Sequence, residues 1–328
     1  MRKAVTVRMI DLRWFMRDLK QFLRFCEALN STKNDSIFGT EIVRMVLHEF
    51  WNGCYNKLFY GCFVPYCIGL VTFLLLVHKV FGTHEFDPDK EQPSIIIEVF
   101  VSLLCIGYQI FQEMVAFSGA DSVRAHFNAW WNFNDLFWMT LSPFIVIAST
   151  RNEYPIQRET LVTMSALVAF SMMIKLFDWM RLFKNTAHYV TLIGETLSDS
   201  ASFIIILIAN LMLFGVPMSI IDLNRDEENA IIQGDFKNWV INDFLNQYTL
   251  ALGDWDDGNF ASGNQIALVY FFFALSTFFS IILMLNMLIA IMGDTYEKII
   301  ENRDVNEVKT LLQLMGECAT NIQVFNLT

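Results

Sequence analysis

Six long apolar stretches constrain the fold of this 328-residue chain more than any other feature. A bilayer core of about 30 Å needs about 20 mainly apolar residues in each helix that crosses it. The stretches of this kind are Leu58–Phe81, Ser94–Phe117, Trp130–Thr150, Leu161–Phe183, Ser198–Ile221 and Gln265–Met292. Charged residues make up 17% of the chain, against about 25% in soluble proteins. The sequence therefore predicts an all-α integral membrane protein with six transmembrane helices.

A seventh segment, between the fifth and sixth stretches, is too short to cross a bilayer. Residues 236–250 form an amphipathic stretch, and Ala-Leu-Gly-Asp-Trp follows directly at 251–255. A short helix that ends in a Gly-Asp turn between two long spans is the layout of a re-entrant pore helix and an ion filter. Non-helical backbone persists at membrane depth where it lines water. The alternative interpretation is a helix in an extracellular loop.

The distribution of charge predicts the orientation. Residues 1–57 carry ten of the 23 Lys and Arg residues, whereas residues 82–93 carry four acids and one Lys, and residues 222–235 carry five acids and one Arg. Because cytoplasmic loops are enriched in Lys and Arg, we expect the N-terminus in the cytoplasm. An even number of spans then puts the C-terminus there too. The sequence does not indicate whether the membrane is plasma, ciliary or that of an organelle.

These segments predict a domain order. We expect a cytoplasmic lead-in over 1–57, a four-helix sensor-like domain over 58–184, a linker helix over 185–197, a pore domain over 198–293 with its filter at 251–256, and a cytoplasmic helix and tail over 294–328. The periodic stretch Asp294–Leu314 predicts one helix that continues past the last span.

Several motifs resemble transient receptor potential (TRP) cation channels over about residues 42–310. The run LNMLIAIMGDTY at 285–296 resembles the end of their pore-lining sixth helix. The filter run LGDWD at 252–256, the following VYFF at 269–272, and the fourth-helix runs MIKLF at 173–177 and RLFKNT at 181–186 are similar to the polycystin branch. The lead-in run LHEFW at 47–51 is similar to the lead-in of ankyrin-bearing TRP channels.

The resemblance implies a voltage-gated-like channel fold that assembles as a homo- or hetero-tetramer. The match departs from polycystins between the first two spans, where about a dozen residues replace their large folded domain. No Trp follows Trp255, so the TRP-box tryptophan of other branches is missing. The ankyrin-like lead-in implies that the chain is the membrane part of a longer protein.

The predicted ion path begins at Leu252, Gly253 and Asp254. Four copies of Asp254 around one axis would form a carboxylate ring, which attracts cations and rejects anions. Gly253 lets the backbone bend so that carbonyls face the ion. Asp256 and Asp257 are expected in the outer vestibule, or alternatively are solvated turn residues. A single ring predicts a non-selective pore that passes Na⁺, K⁺ and Ca²⁺.

The cytoplasmic end of the pore is expected to close by an apolar ring that gates by dewetting. The TRP resemblance assigns Ile289 to this gate, with Met292 or Gly293 one turn deeper. Asn286 is a polar residue in an apolar helix and needs a hydrogen-bond partner. It either switches partners or favours a local π-turn when the helix rotates, or it makes a static hydrogen bond between helices.

A regulatory Ca²⁺ site is predicted in the four-helix domain. Gln109 and Glu113 share one face of the second span, and Asn132 and Asp135 share one face of the third. Their oxygens are ligands that Ca²⁺ prefers. The third-span half matches the site of melastatin-type and canonical-type TRP channels, whereas the second-span half departs from it. The alternative is an interior of ion pairs, with Glu113 or Asp135 bound to Arg181 or Lys175.

Other classes of function find less support. Enzyme motifs are absent from the sequence, and no obligatory cofactor is expected. The net charge of −11 argues against nucleic-acid binding, so the expected partners are permeant ions, lipids and other subunits. A secondary transporter would show two similar halves with broken helices. A non-conducting subunit of a heteromeric complex is the other alternative.

Overall fold

Helices make up most of the part of the chain that the structure describes. The computed structural model describes residues 24–26, 28–29, 32, 35–82, 88–118, 130–149, 157–223, 225, 230–232, 236–254, 260–261 and 265–317, and these contain no β-strand. The chain divides into two units, one of Met1–Thr191 with Arg303–Thr328 and the other of Leu192–Asn302.

The first unit is built around a four-helix bundle. Its helices are α1 (Glu41–Leu58), α2 (Val64–Gly82), α3 (Pro88–Ser118), α4 (Trp130–Ser149), α5 (Arg158–Trp179), the first half of α6 (Lys184–Asp199) and α11 (Arg303–Glu317). Helix α2 packs against α3, α4 and α5, and α4 packs against α3 and α5. Tyr66, Phe73, Trp138, Ile145 and Met172 are buried between these helices.

Helices α1 and α2 form one continuous helix through a π-helical segment at Phe59–Phe63. Pro65 follows this segment and has no backbone N–H, so it cannot donate to the carbonyl of Gly61 four residues earlier. The Tyr108 hydroxyl and the Gln112 amide of α3 donate to that carbonyl instead, at 2.9 and 3.1 Å. The irregular turn therefore keeps its hydrogen bonding and joins the lead-in to the bundle.

A second core lies where α1, α11 and the 3₁₀ turn Met180–Leu182 meet. The buried side chains there include Leu47, Trp51, Leu58, Leu182, Leu312 and Met315. Two polar contacts join α6 to α11, namely Thr191 to Thr310 between hydroxyl oxygens at 3.2 Å and Lys184 Nζ to Glu307 Oε1 at 3.3 Å.

The second unit contains the short helix and the last two long ones. Its helices are α7 (Ala201–Asp222), α8 (Trp239–Ala251), α9 (Ile266–Thr277) and α10 (Leu285–Glu301), with a π-helical segment at Phe278–Met284 between α9 and α10. Helix α7 packs against α8, α9 and the π segment. The buried Asn210 amide on α7 donates to the Ser280 hydroxyl in the π segment at 3.0 Å.

Five helices among the described residues are long and apolar enough to cross a membrane. They are Glu41–Gly82, Ile95–Val115, Arg158–Leu182, Ala201–Asp222 and Ile266–Glu301. They include the first, second, fourth, fifth and sixth predicted spans. The third predicted span is α4, a helix of 20 residues whose first turns carry Asn132, Asn134 and Asp135 and are therefore less apolar. A count of six spans stays a prediction.

The expectation of one helix over Asp294–Leu314 is wrong. Helix α10 ends at Glu301, Asn302 forms a turn, and α11 begins at Arg303. The Asn302 backbone N–H and side-chain amide both donate to the Lys298 carbonyl, at 3.3 and 3.0 Å, so the side chain adds a second hydrogen bond where α10 ends.

The contact between α2 and α3 generates a prediction about packing. A Cβ at Gly69 would lie 3.1 Å from Cys105 Cβ, whereas a Cβ at Gly107 on α3 would meet nothing within 4 Å. We expect Gly69→Ala to lower the free energy of unfolding by about 1–3 kcal/mol through overpacking. Gly107→Ala serves as control and should be neutral or stabilising by up to about 1 kcal/mol.

Thermal unfolding of the purified protein in detergent compares the two variants. A Gly69→Ala melting temperature equal to or above that of Gly107→Ala would contradict the close contact between α2 and α3.

Candidate functional site: a filter turn and two polar clusters

The short helix α8 begins and ends through specific local hydrogen bonds. The Asn238 side chain accepts a hydrogen bond from the Val240 backbone N–H at 3.0 Å, which is why the helix begins at Trp239 rather than at 236. At its other end Gly253 has a φ of +89°, in the left-handed region that favours glycine.

The hydrogen bonds at this end have the pattern of a Schellman motif. The Gly253 N–H donates to the Leu250 carbonyl at 3.0 Å, and the Asp254 N–H donates to the Thr249 carbonyl at 3.0 Å. The predicted filter residues Leu252, Gly253 and Asp254 are thus the turn that ends α8. All three are exposed in the protomer. Asp256 and Asp257, the predicted vestibule residues, lie outside the described residues.

The side of α8 that faces the other helices of the second unit carries two buried polar residues, which the sequence analysis did not identify. Asp243 and Gln247 are each 1% exposed. The Ser276 hydroxyl on α9 donates to Gln247 Oε1 at 2.9 Å. A Cβ at Gly215 on α7 would lie 3.1 Å from Gln247 Cγ, so α7 and α8 approach closely here and a larger residue would require Gln247 to shift. The i, i+4 spacing of the two residues was the available signal.

The predicted gate residues lie on α10, directly after the π segment. Ile289 is 60% exposed in the protomer, and Met292 and Gly293 are exposed as well. Asn286 donates to the Ile282 carbonyl of its own helix at 2.6 Å. That carbonyl belongs to the π segment, and both interpretations of Asn286 stay predictions.

A cluster of charges lies inside the four-helix bundle. Lys175 Nζ on α5 is 2.6 Å from Asp135 Oδ2 on α4 and 3.6 Å from Asp178 Oδ2. The Trp138 indole N–H donates to the other oxygen of Asp135 at 3.1 Å, and Arg181 pairs with Asp178. Both Asp135 oxygens are therefore bound, and two cations balance two carboxylates.

A reciprocal contact beside this cluster joins the same two helices. The Asn134 side-chain amide donates to the Ser171 carbonyl at 3.2 Å, and the Ser171 hydroxyl donates to Asn134 Oδ1 at 2.7 Å. Sequence reasoning missed this pair as well, because neither residue type indicates a partner on a distant segment.

The four predicted Ca²⁺ ligands differ in their surroundings. Gln109 and Asp135 are buried, and Glu113 and Asn132 are half-buried. In the part of the chain that the structure describes, no three His, Cys, Asp or Glu residues are grouped so as to hold a metal ion. The Asp135–Lys175 contact agrees with the alternative of an ion-paired interior, and the Ca²⁺ site stays a prediction.

The ion pair between Asp135 and Lys175 generates a stability prediction. Breaking a buried pair leaves one charge uncompensated in the bundle, so Asp135→Asn should lower the free energy of unfolding by about 3 kcal/mol. Glu307→Gln, which breaks an exposed pair with Lys184 in the same unit, is the control and should cost less than about 1 kcal/mol.

Thermal unfolding measures both effects, and the double variant Asp135→Asn/Lys175→Met should recover part of the loss because no unpaired cation remains. Equal losses for Asp135→Asn and Glu307→Gln would show that the buried pair contributes no more to the free energy of unfolding than the exposed pair.

Comparison with known proteins places these features in a family. The chain matches no curated protein. The family described as ion transport protein matches residues 56–304, about three quarters of the chain, from the end of α1 to the start of α11. The matched region includes the four-helix bundle, the short helix with its Gly-Asp turn, and the two long helices on either side. The chain therefore belongs to the ion transport protein family, a family of membrane ion channels.

Proposed function

We propose that this protein is a TRP-like, non-selective and calcium-permeable cation channel that conducts as a tetramer. The observation that carries the proposal is the Schellman turn at Gly253–Asp254, which ends a helix too short to cross the membrane and presents an exposed carboxylate. This turn lies between two long apolar helices, within the region that matches the channel family.

The electrostatics of the turn support cation conduction. Four copies of Asp254 around one axis place four negative charges at one level of the pore, where a cation is attracted and an anion repelled. The segment 222–235 just before α8 has five acidic residues and one Arg. In a tetramer this acidity raises the local concentration of cations, an effect that salt weakens.

The exposed apolar side chains of the second unit support assembly. Leu252, Ile289 and Met292 are large apolar residues that one protomer leaves exposed. An apolar ring of Ile289 side chains, one from each subunit, closes the cytoplasmic end of the pore by excluding water. The remaining exposed apolar residues of α7, α9 and α10 contact lipid or neighbouring subunits.

The proposed regulatory Ca²⁺ site includes Asp135, so a Ca²⁺ ion there would have to displace Lys175 from this carboxylate. Measuring the Ca²⁺ dependence of the current in Asp135→Ala decides between the two interpretations. Unchanged activation by Ca²⁺ would leave the ion pair as the sole role of Asp135.

The filter assignment predicts the effect of one substitution. Asp254→Asn removes the charge but keeps the shape, so single-channel conductance for Na⁺ should fall several-fold and the preference for cations over anions should weaken. Glu195→Gln, an exposed carboxylate on α6 in the same unit, is the control and should leave both unchanged.

The measurement is recording from purified protein in planar bilayers. Conductance and cation preference that survive Asp254→Asn would refute the filter, and the absence of current from the unmodified protein would favour a non-conducting subunit.

The gate assignment predicts a leak. Ile289→Ser replaces the apolar ring with hydroxyls that hold water, so the channel should open in the absence of stimulus and its resting current should rise about tenfold or more. Ile289→Leu keeps the ring apolar and should close normally. A Ser variant that stays closed would move the gate to another level of α10.

A further inference from the structure

Asp243 is a buried carboxylate that the proposed ion path does not use. Its side chain is 1% exposed and lies on the face of α8 that packs against α7. The Ser219 hydroxyl of α7 is its hydrogen-bond donor, and among the described residues Oδ2 of Asp243 has no partner. A buried carboxylate with one neutral donor is costly when it is ionised.

No cation on the described helices α7, α8 and α9 compensates the charge of Asp243. Helix α8 has no other charged residue, and α9, which packs against α8, has none. On α7 the charged residue is Asp222, whose oxygens accept from the Ile231 and Ile232 backbone N–H groups at 2.6 and 3.2 Å. The electrostatic neighbour of Asp243 is therefore a second carboxylate.

These surroundings act on the acidity of Asp243. Burial raises the pKa of the Asp243 carboxyl, the Ser219 hydrogen bond lowers it, and the negative charge of Asp222 raises it, so that the pKa lies above the ordinary range. The buried position seen in the structure favours the neutral form, because the ionised form is stabilised by contact with water.

The position of Asp243 connects it to the filter turn. Gln247, one helical turn further along α8, is held by Ser276 at 2.9 Å and packs at Gly215. Three residues after Gln247, the Leu250 carbonyl accepts the Gly253 hydrogen bond of the turn. A shift of α8 away from α7 on ionisation of Asp243 would therefore move the residues that hold Asp254.

We propose that Asp243 is a proton-binding site behind the filter, and that its protonation state sets the position of α8 and with it the conductance. The part that concerns conductance rests on the proposed channel function, whereas proton binding at Asp243 does not. The two parts are tested by separate measurements.

Thermal unfolding against pH tests proton binding without any current. A carboxyl whose pKa is raised in the folded state stabilises the fold when protonated, and this contribution is lost as pH rises through the folded pKa. Asp243→Asn mimics the neutral form, so it should melt above the unmodified protein at neutral pH. The difference should shrink as pH falls towards the ordinary range of a carboxyl. A difference that does not vary with pH would overturn the proposal.

Single-channel recording with the pH varied on the filter side tests the coupling to conductance. The unmodified protein should change its conductance with pH, and Asp243→Asn should show the acid-side conductance at every pH. Because Ser219 lowers the pKa and Asp222 raises it, Ser219→Ala should move the midpoint to higher pH and Asp222→Asn should move it to lower pH. A merely structural role would not give opposite shifts.

Asp254→Asn separates this effect from protonation of the filter ring, since it should keep the pH step that depends on Asp243. A pH response that persists in Asp243→Asn and disappears in Asp254→Asn would overturn the coupling. If no variant conducts, the channel function fails, and the pH dependence of unfolding still decides whether Asp243 binds the proton.

Discussion

Backbone hydrogen bonding is the constraint on which the rest of this structure depends, because an N–H or C=O group without a partner is costly where water is scarce. The chain leaves regular α-helix at several points, and at those described here side chains or turn residues supply hydrogen bonds. Tyr108 and Gln112 donate hydrogen bonds to the Gly61 carbonyl, because Pro65 has no N–H to donate to it. The Asn286 side chain donates to the Ile282 carbonyl, and the Schellman hydrogen bonds pair backbone carbonyls at the end of α8. These irregular points join the lead-in to the bundle, form the proposed filter and precede the proposed gate.

Buried charge in the two units follows different rules. In the four-helix bundle each carboxylate of the Asp135 and Asp178 pair has a cation beside it, so the cluster is neutral and ties α4 to α5. Asp243 in the second unit has a hydroxyl donor and a neighbouring carboxylate instead. The first arrangement suits a rigid support, since breaking it exposes unpaired charge. The second suits a group that gains or loses a proton.

Much of the architecture could be predicted from the sequence, since apolar length and composition identify segments that cross a bilayer without reference to their neighbours. The short helix and its Gly-Asp end were predictable for the same reason, because glycine at a helix end acts through local backbone geometry. The start of α8 at Trp239 and the break at Asn302 were not predicted, because each depends on a hydrogen bond between one Asn side chain and a backbone group. The third predicted span shows the limit of hydropathy, as its polar residues face the interior of the bundle.

The roles of polar residues inside the helices required the tertiary structure. From the sequence, Asp135 suited a Ca²⁺ ligand or a partner of Arg181 or Lys175, and its contact with Lys175, 40 residues away, becomes visible only in the folded bundle. The i, i+4 spacing of Asp243 and Gln247 puts them on one face of the helix but does not show that this face is buried, because an amphipathic segment has polar residues whether they are solvated or buried. The sequence by itself determined where the long apolar segments and the Gly-Asp turn lie, since both follow from local composition. Only the tertiary structure decided which polar groups are paired, because pairing depends on side chains that distant segments bring together.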